Sequence, residues 1–181
     1  DDYSNGAAYY YDNKIVIWAS PLNFELRGSH RWLQNVITHE YAHIVSLQKS
    51  MKMGNKIPGA YFQFMGYEKE KRKDVLYGFP NSLVSYPIPG TVVPPWLAEG
   101  IAQYMYDGAD WDHWDTHRDM ILRDRAINKN LLSFNEMNTF GKKGIGNEST
   151  YNSGFALSRY IVFKYGSDII KDLMIELSNP L

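Results

Sequence analysis

The sequence predicts an α+β fold, mostly helical with a small N-terminal sheet. Three observations predict it. Apolar residues recur at helical spacing in five stretches, the clearest from His30 to about Gln48 and from Pro95 to about Tyr106. One short β-branched run, Asn13–Ala19, reads as a strand. Hydrophobic residues are 44% and charged residues 22% of the chain, the balance of a protein that packs a core.

The elements follow in order. The strand at Asn13–Ala19 ends at Pro21, and Ser29 is placed as an N-cap. The first helix then carries a buried stripe of Trp32, Leu33, Val36, Ile37, Tyr41, Ile44 and Val45. Residues 50–94 hold so many glycines and prolines that they read as one long connection, with short helices expected near Ala60–Met65 and Asp74–Tyr77. The mixed charges of Glu68–Asp74 read as a solvated face. Pro95 suits the first position of a second helix, which runs to about Tyr106. An acidic, aromatic loop follows at Asp107–Asp115, then a helix over Thr116–Ile127 capped by Asp115 or Thr116. Residues 138–148 read as loop, Ser149 or Thr150 as the cap of a helix to Tyr165, and Gly166 as its stop. A last amphipathic helix starts at Ser167 or Asp168 and reaches about Leu177.

No internal repeat or domain boundary is visible, so the 181 residues are read as a single domain, 1–181. The opening Asp1-Asp2, without Met, leaves open a removed leader or a fragment of a longer chain. Lys+Arg is 19 and Asp+Glu 20, a net charge of -1 that argues against nucleic acid as partner. No apolar run is long enough for a transmembrane helix. There is no Cys, which excludes disulfides, thiol catalysis and thiolate metal sites. Aromatic residues reach 15%; they line clefts or simply fill cores.

Chemistry concentrates in His39-Glu40-Tyr41-Ala42-His43, an H-E-x-x-H pattern on the first helix. The i, i+4 spacing puts both imidazoles on one face, one turn apart, where they can share a metal ion. Glu40 stands beside them as a candidate general base. The plain alternative is a pair of partly buried histidines with a charged neighbour. A catalytic zinc needs a third protein ligand. Glu99, in Trp96-Leu97-Ala98-Glu99-Gly100, is the best candidate: a carboxylate in an apolar stretch, with Gly100 leaving room for close backbone approach. Its alternative role is that of a carboxylate at a helix N-terminus. Asp107, Asp110, Asp112 and Asp115 with His113 and His117 form a second acidic cluster, read as a solvated rim because no oxygen-ligand loop pattern fits it. His30 reads as a surface residue. Serine-hydrolase, phosphate-loop and dinucleotide motifs are absent.

His39–His43 followed by Trp96–Gly100 resembles the gluzincin branch of the zinc metallopeptidases, the peptidase MA-like group. The resemblance implies a zincin-like domain, one zinc ion held by His39, His43 and Glu99, and Glu40 as base. It also implies that the strand at Asn13–Ala19 is the edge along which an extended peptide lies. Tyr151-Asn152-Ser153-Gly154 is similar to the Y-x-x-G of aminopeptidase-like members, which makes Tyr151 the candidate for stabilising the oxyanion, with Tyr104 and Tyr106 as rivals. The chain departs from the pattern twice. Residues 44–98, 55 in all, separate His43 from Glu99, far more than in the best-known gluzincins. That spacing suits divergent members that precede Tol-type β-propellers in bacterial envelope proteins. And Gln103, one turn after Glu99, stands where thermolysin relatives carry an Asp that holds a ligand His; Gln can still accept a hydrogen bond, but it supports the ligand more weakly.

The expected function is therefore a zinc-dependent metallopeptidase acting on peptide or protein substrates, extracytoplasmic by resemblance. The alternative is a non-catalytic zinc-binding module attached to a propeller. A zinc hydrolase of non-peptide amides is a third reading. No G-x-M-E-N type motif for capturing a substrate amine precedes His39, which leans toward endopeptidase action.

Overall fold

The computed structural model describes residues 6–17, 32–52, 60–67, 80–88, 90–108, 116–138 and 144–179. The fold is α+β. Among the described residues, four strands form two separate antiparallel pairs, and six helices supply most of the regular structure. These are β1 (Gly6–Tyr9), β2 (Lys14–Ile17), α1 (Trp32–Lys49), β3 (Ala60–Tyr67), β4 (Pro80–Ile88), α2 (Pro95–Gly108), α3 (Thr116–Ile127), α4 (Phe134–Met137), α5 (Gly144–Tyr165) and α6 (Ile169–Ser178). Among the described residues, no helix is long and apolar enough to cross a membrane.

The β-branched run Lys14–Ile17 is a strand, and β1 is its partner, paired from Gly6↔Ile17 to Tyr9↔Lys14. Asn13 takes the left-handed conformation in the connecting turn (φ 51°), which Asn tolerates better than most residues. The turn is pinned to α1: the Gln48 amide donates to the Tyr10 carbonyl at 2.5 Å and to Asn13 Oδ1 at 2.5 Å. Both β1 and β2 pack on α1.

The helix expected at Ala60–Met65 is not there: this segment is β3, paired in register from Ala60↔Ile88 to Met65↔Leu83. Its aromatic-rich run (Tyr61, Phe62, Phe64, Tyr67) favours a pleated strand once a partner exists. Pro80 and Pro87 suggested loop, but in a two-stranded sheet each strand keeps an open edge where the missing N–H costs no ladder bond. Asp74–Tyr77, the Glu68–Asp74 charge run, Ser29 and His30 lie outside the described residues.

The long connection leaves and returns at one point. Lys52 N–H donates to the Gly90 carbonyl at 3.1 Å, and Ser50 Oγ lies 2.6 Å from Thr91 Oγ1. The end of α1 and the approach to α2 are thus bound together, and the β3–β4 excursion between them does not set the α1–α2 geometry. That is how the 55 residues between His43 and Glu99 are accommodated.

α2 starts at Pro95 as the sequence predicts, with Leu97 and Ala98 N–H groups both donating to the Pro94 carbonyl (3.0 and 3.1 Å). α5 begins at Gly144, several residues ahead of the expected Ser149 or Thr150 cap, and Gly166 ends it at φ +91°. The apolar core sits where α2 meets α6: Leu97, Ile101, Ile170 and Met174, flanked by Trp96, Tyr104, Val162 and Leu177. On α1 the expected stripe divides. Val36 and Ile44 are buried, but Leu33, Ile37, Tyr41 and Val45 are exposed (50, 44, 60 and 52%). The buried face of α1 is rotated toward Asn35, Glu40, His43 and Ser46. The helix thus turns its polar chemistry inward.

Candidate metal centre

α1 and α2 pack side by side, and their facing turns bring three donor atoms together. His39 Nε2 lies 3.0 Å from Glu99 Oε2, His43 Nε2 lies 3.3 Å from the same oxygen, and the two Nε2 atoms are 3.0 Å apart. The imidazoles meet edge to face, with ring centroids 4.6 Å apart. All three side chains are largely buried, 14, 10 and 13% exposed.

This triangle fits a small metal ion. A tetrahedral ion with bonds of about 2.0–2.1 Å keeps its ligand atoms roughly 3.3 Å apart, close to the 3.0–3.3 Å observed. Two imidazole nitrogens and one carboxylate oxygen are donors suited to a divalent transition metal, and three of them leave a tetrahedral ion one open position. Among the described residues, His39, His43 and Glu99 are the group able to hold a metal ion.

The electrostatics match the packing. Burial alone would raise the Glu99 pKa, but the charge of His43 and hydrogen bonds from both imidazoles outweigh it and hold the carboxyl well below its usual range. Burial alone would lower His43, but Glu99, and then Glu40, outweigh it and push its pKa up. Glu99 does not act as a bare N-terminal carboxylate: its charge is directed at the imidazole pair.

Glu40 is buried beside this group. β1 holds it there. A Cβ on Gly6 would lie 2.8 Å from Val36 Cγ1, 3.0 Å from Glu40 Cγ and 3.2 Å from Glu40 Oε1, so the strand approaches α1 as closely as it does because residue 6 has no side chain. His39, Glu40, His43, Glu99 and Tyr151 all line one cleft of about 360 Å³. Tyr151 comes from α5, with its ring 6.0 Å from that of His39. Of its rivals, Tyr104 packs against the α2–α6 core instead, and the Tyr106 side chain lies outside the described part.

Two expectations change. The strand beside the cleft is β1, not β2: Gly6, Ala7 and Ala8 of β1 line it, with Tyr10 from the turn that follows. Gly-Ala-Ala carries no β-branched signal, although a strand at Lys14–Ile17 needs a partner and Asp12-Asn13 marks a turn. The second concerns Gln103. It is buried on α2, one turn after Glu99, but its Oε1 has no hydrogen-bond partner, and neither has His43 Nδ1. Gln103 therefore does not hold a ligand imidazole through its oxygen. Thr91 and Val93, from the approach to α2, also line the cleft without having been foreseen. Asp110, Asp112, His113 and Asp115 lie outside the described residues; Asp107 and His117 fall in α2 and α3, their side chains outside the described part.

No family model, characterised protein or solved structure matches the chain. The likeness to gluzincins rests on the motifs themselves.

Proposed function

We propose that this domain is a zinc-dependent peptide hydrolase of the gluzincin type. The observation that carries the reading is the convergence of His39, His43 and Glu99 donor atoms within 3.3 Å on a cleft shared with Glu40 and Tyr151. Two candidate catalytic groups beside a three-point metal site in one cleft are more than a structural zinc requires.

In this reading His39, His43 and Glu99 hold one zinc ion, which supplies Lewis-acid polarisation of a carbonyl and a nucleophilic water at neutral pH. Glu40 accepts the proton of the attacking water and delivers it to the leaving amine nitrogen as the C–N bond breaks. The Tyr151 hydroxyl donates a hydrogen bond to the oxyanion. Ala7, Ala8, Val93 and Ala98 add small apolar surface to the cleft, and among the described residues no further charged group lines it, which favours a neutral stretch of peptide near the scissile bond. Zinc as the particular metal, an extracytoplasmic location and a flanking β-propeller belong to the same proposal and rest on the resemblance.

A second reading, a zinc-binding module without turnover, is favoured by one observation: the unpartnered His43 Nδ1 and Gln103 Oε1 leave the ligand imidazole without the support that active metal sites usually give it. Incubating zinc-loaded protein with an unfolded protein substrate separates the two, with Glu40→Gln as control. Cleavage by wild type and none by Glu40→Gln is expected. Zinc bound by both with no cleavage by either overturns the hydrolase reading in favour of the module.

A further inference from the structure

We infer that Gly100 and Gly154 form a backbone-to-backbone seam between α2 and α5 that positions Glu99 in the metal centre and Tyr151 beside it. The Tyr151 half of this inference rests on the role proposed above; the Glu99 half does not.

The seam is tight from both sides. A Cβ on Gly100 would lie 2.2 Å from the Gly154 carbonyl oxygen, 2.3 Å from its carbon and 2.7 Å from Ser158 Oγ. A Cβ on Gly154 would lie 2.1 Å from the Trp96 carbonyl oxygen and 3.3 Å from Gly100 Cα. The obstructing atoms are mostly backbone, so no rotamer change relieves them. Bringing the 2.1 Å contact out to even 3.0 Å requires the helices to part by on the order of 1 Å. Metal-ligand distances tolerate only about 0.2 Å. A shift of the first magnitude, applied next to Glu99, exceeds that tolerance several-fold.

The sequence positions make the seam a site device. Gly100 follows Glu99 directly, and Gly154 lies one helical turn after Tyr151. Neither glycine has a positive φ, so neither is needed for a turn. Both sit inside helices, where glycine is disfavoured relative to alanine. Stability alone does not explain the interface either. Around the seam, Asn152, Ser153, Ser158 and Gln103 are buried with unpartnered polar atoms, which is unfavourable, whereas the apolar core lies on the α6 side of α2. What the seam provides is a fixed separation between the helix that carries Glu99 and the helix that carries Tyr151.

The test compares Gly154→Ala with Ile170→Ala, a core variant that destabilises the fold away from the site. Three quantities are measured on each folded full-length protein: chemical stability, zinc affinity by chelator competition, and the absorption spectrum with cobalt in place of zinc. Gly154→Ala is expected to lose about 10- to 100-fold in zinc affinity, with an altered cobalt spectrum. Ile170→Ala is expected to keep wild-type affinity and spectrum at a comparable loss of stability. Should Gly154→Ala fail to fold, Ser158→Thr adds one methyl to the same seam, and the same loss in smaller measure is expected. Wild-type affinity and spectrum in the folded glycine variant, or in Ser158→Thr where that stands in for it, overturns the inference. So does an affinity loss that Ile170→Ala reproduces. Where the wild type cleaves peptide, the variant's kcat falls with KM little changed. Where it binds metal and cleaves nothing, the hydrolase reading fails, and the seam is still decided by affinity and spectrum.

Discussion

Replacing Glu99 by alanine removes one corner of the donor triangle and leaves two imidazoles whose Nε2 atoms are 3.0 Å apart. The carboxylate is largely buried and in contact with both histidines, so no water-filled position takes its place at comparable strength. Zinc held by four protein ligands is worth about 10–16 kcal/mol, or roughly 2.5–4 kcal/mol per ligand. At about 1.4 kcal/mol per factor of ten, the loss corresponds to roughly 60- to 700-fold in zinc affinity. Competition against a chromophoric chelator at fixed pH measures it directly. Glu40→Gln serves as the control: it changes a carboxylate that lines the cleft but is not one of the three donors, so its affinity is expected to stay near wild type. A Glu99→Ala variant within a few-fold of wild type would mean that the carboxylate is a counter-charge to the imidazoles and not a ligand. Equal losses in the two variants would mean that the roles of Glu40 and Glu99 are misassigned.

Other outcomes follow from the same geometry. Tyr151→Phe should keep zinc content and KM while kcat falls on the order of 100- to 1000-fold, the usual cost of an oxyanion donor; a wild-type kcat removes Tyr151 from the mechanism. Gly6→Val should push the Glu40 side chain from its place, since even a Cβ there would lie 3.2 Å from Glu40 Oε1. It is expected to lower kcat by about 10- to 100-fold with zinc still bound, and zinc loss in that variant would mean that β1 supports the ligands themselves. The metal-free protein should depend on pH with two opposite signs. His43 is raised above 6.5, so its contribution is full below that pH and fades as pH rises through the folded value; Glu99 is lowered below 4.5, so its contribution is full above that pH and fades as pH falls through the folded value. The pair therefore stabilises most between 4.5 and 6.5. Zinc reverses the upper limb, because it binds neutral His43: affinity should climb with pH through the folded pKa with proton release, read by calorimetry in buffers of different ionisation enthalpy. Absence of proton release would place His43 outside the ligand set.

The sequence was most legible where function is local. His39 and His43 share a face because four residues make one turn, and no tertiary information is needed to see it. Glu99 was legible by type alone, as a carboxylate among apolar neighbours; that it meets His39 follows from the packing of α2 on α1, which no periodicity foretells. The two hairpins were half legible for a related reason. β2 announces itself through Ile15, Val16 and Ile17, but β1 is chosen by closeness to α1, which demands the small Gly6 instead of a β-branched residue. β4 carries Pro80 and Pro87, which read as breakers but are tolerated in a two-stranded pair, where each strand keeps an open edge. On α1, helical spacing showed which residues share a face but not which face is buried, because the buried one holds Glu40 and His43. Gln103 shows the limit of reading by residue type: it can accept a hydrogen bond from a ligand imidazole, sits buried on the right helix, and does not do so.

The central claim is that His39, His43 and Glu99 bind one metal ion together. A crystal structure of the zinc-loaded protein, with anomalous data at the zinc edge, tests it most directly. The expected result is one peak on the cleft wall, about 2.0–2.2 Å from His39 Nε2, His43 Nε2 and a Glu99 oxygen, with one coordination position facing Glu40 and Tyr151. A peak held by other residues, or none at these three after loading at neutral pH, contradicts the account.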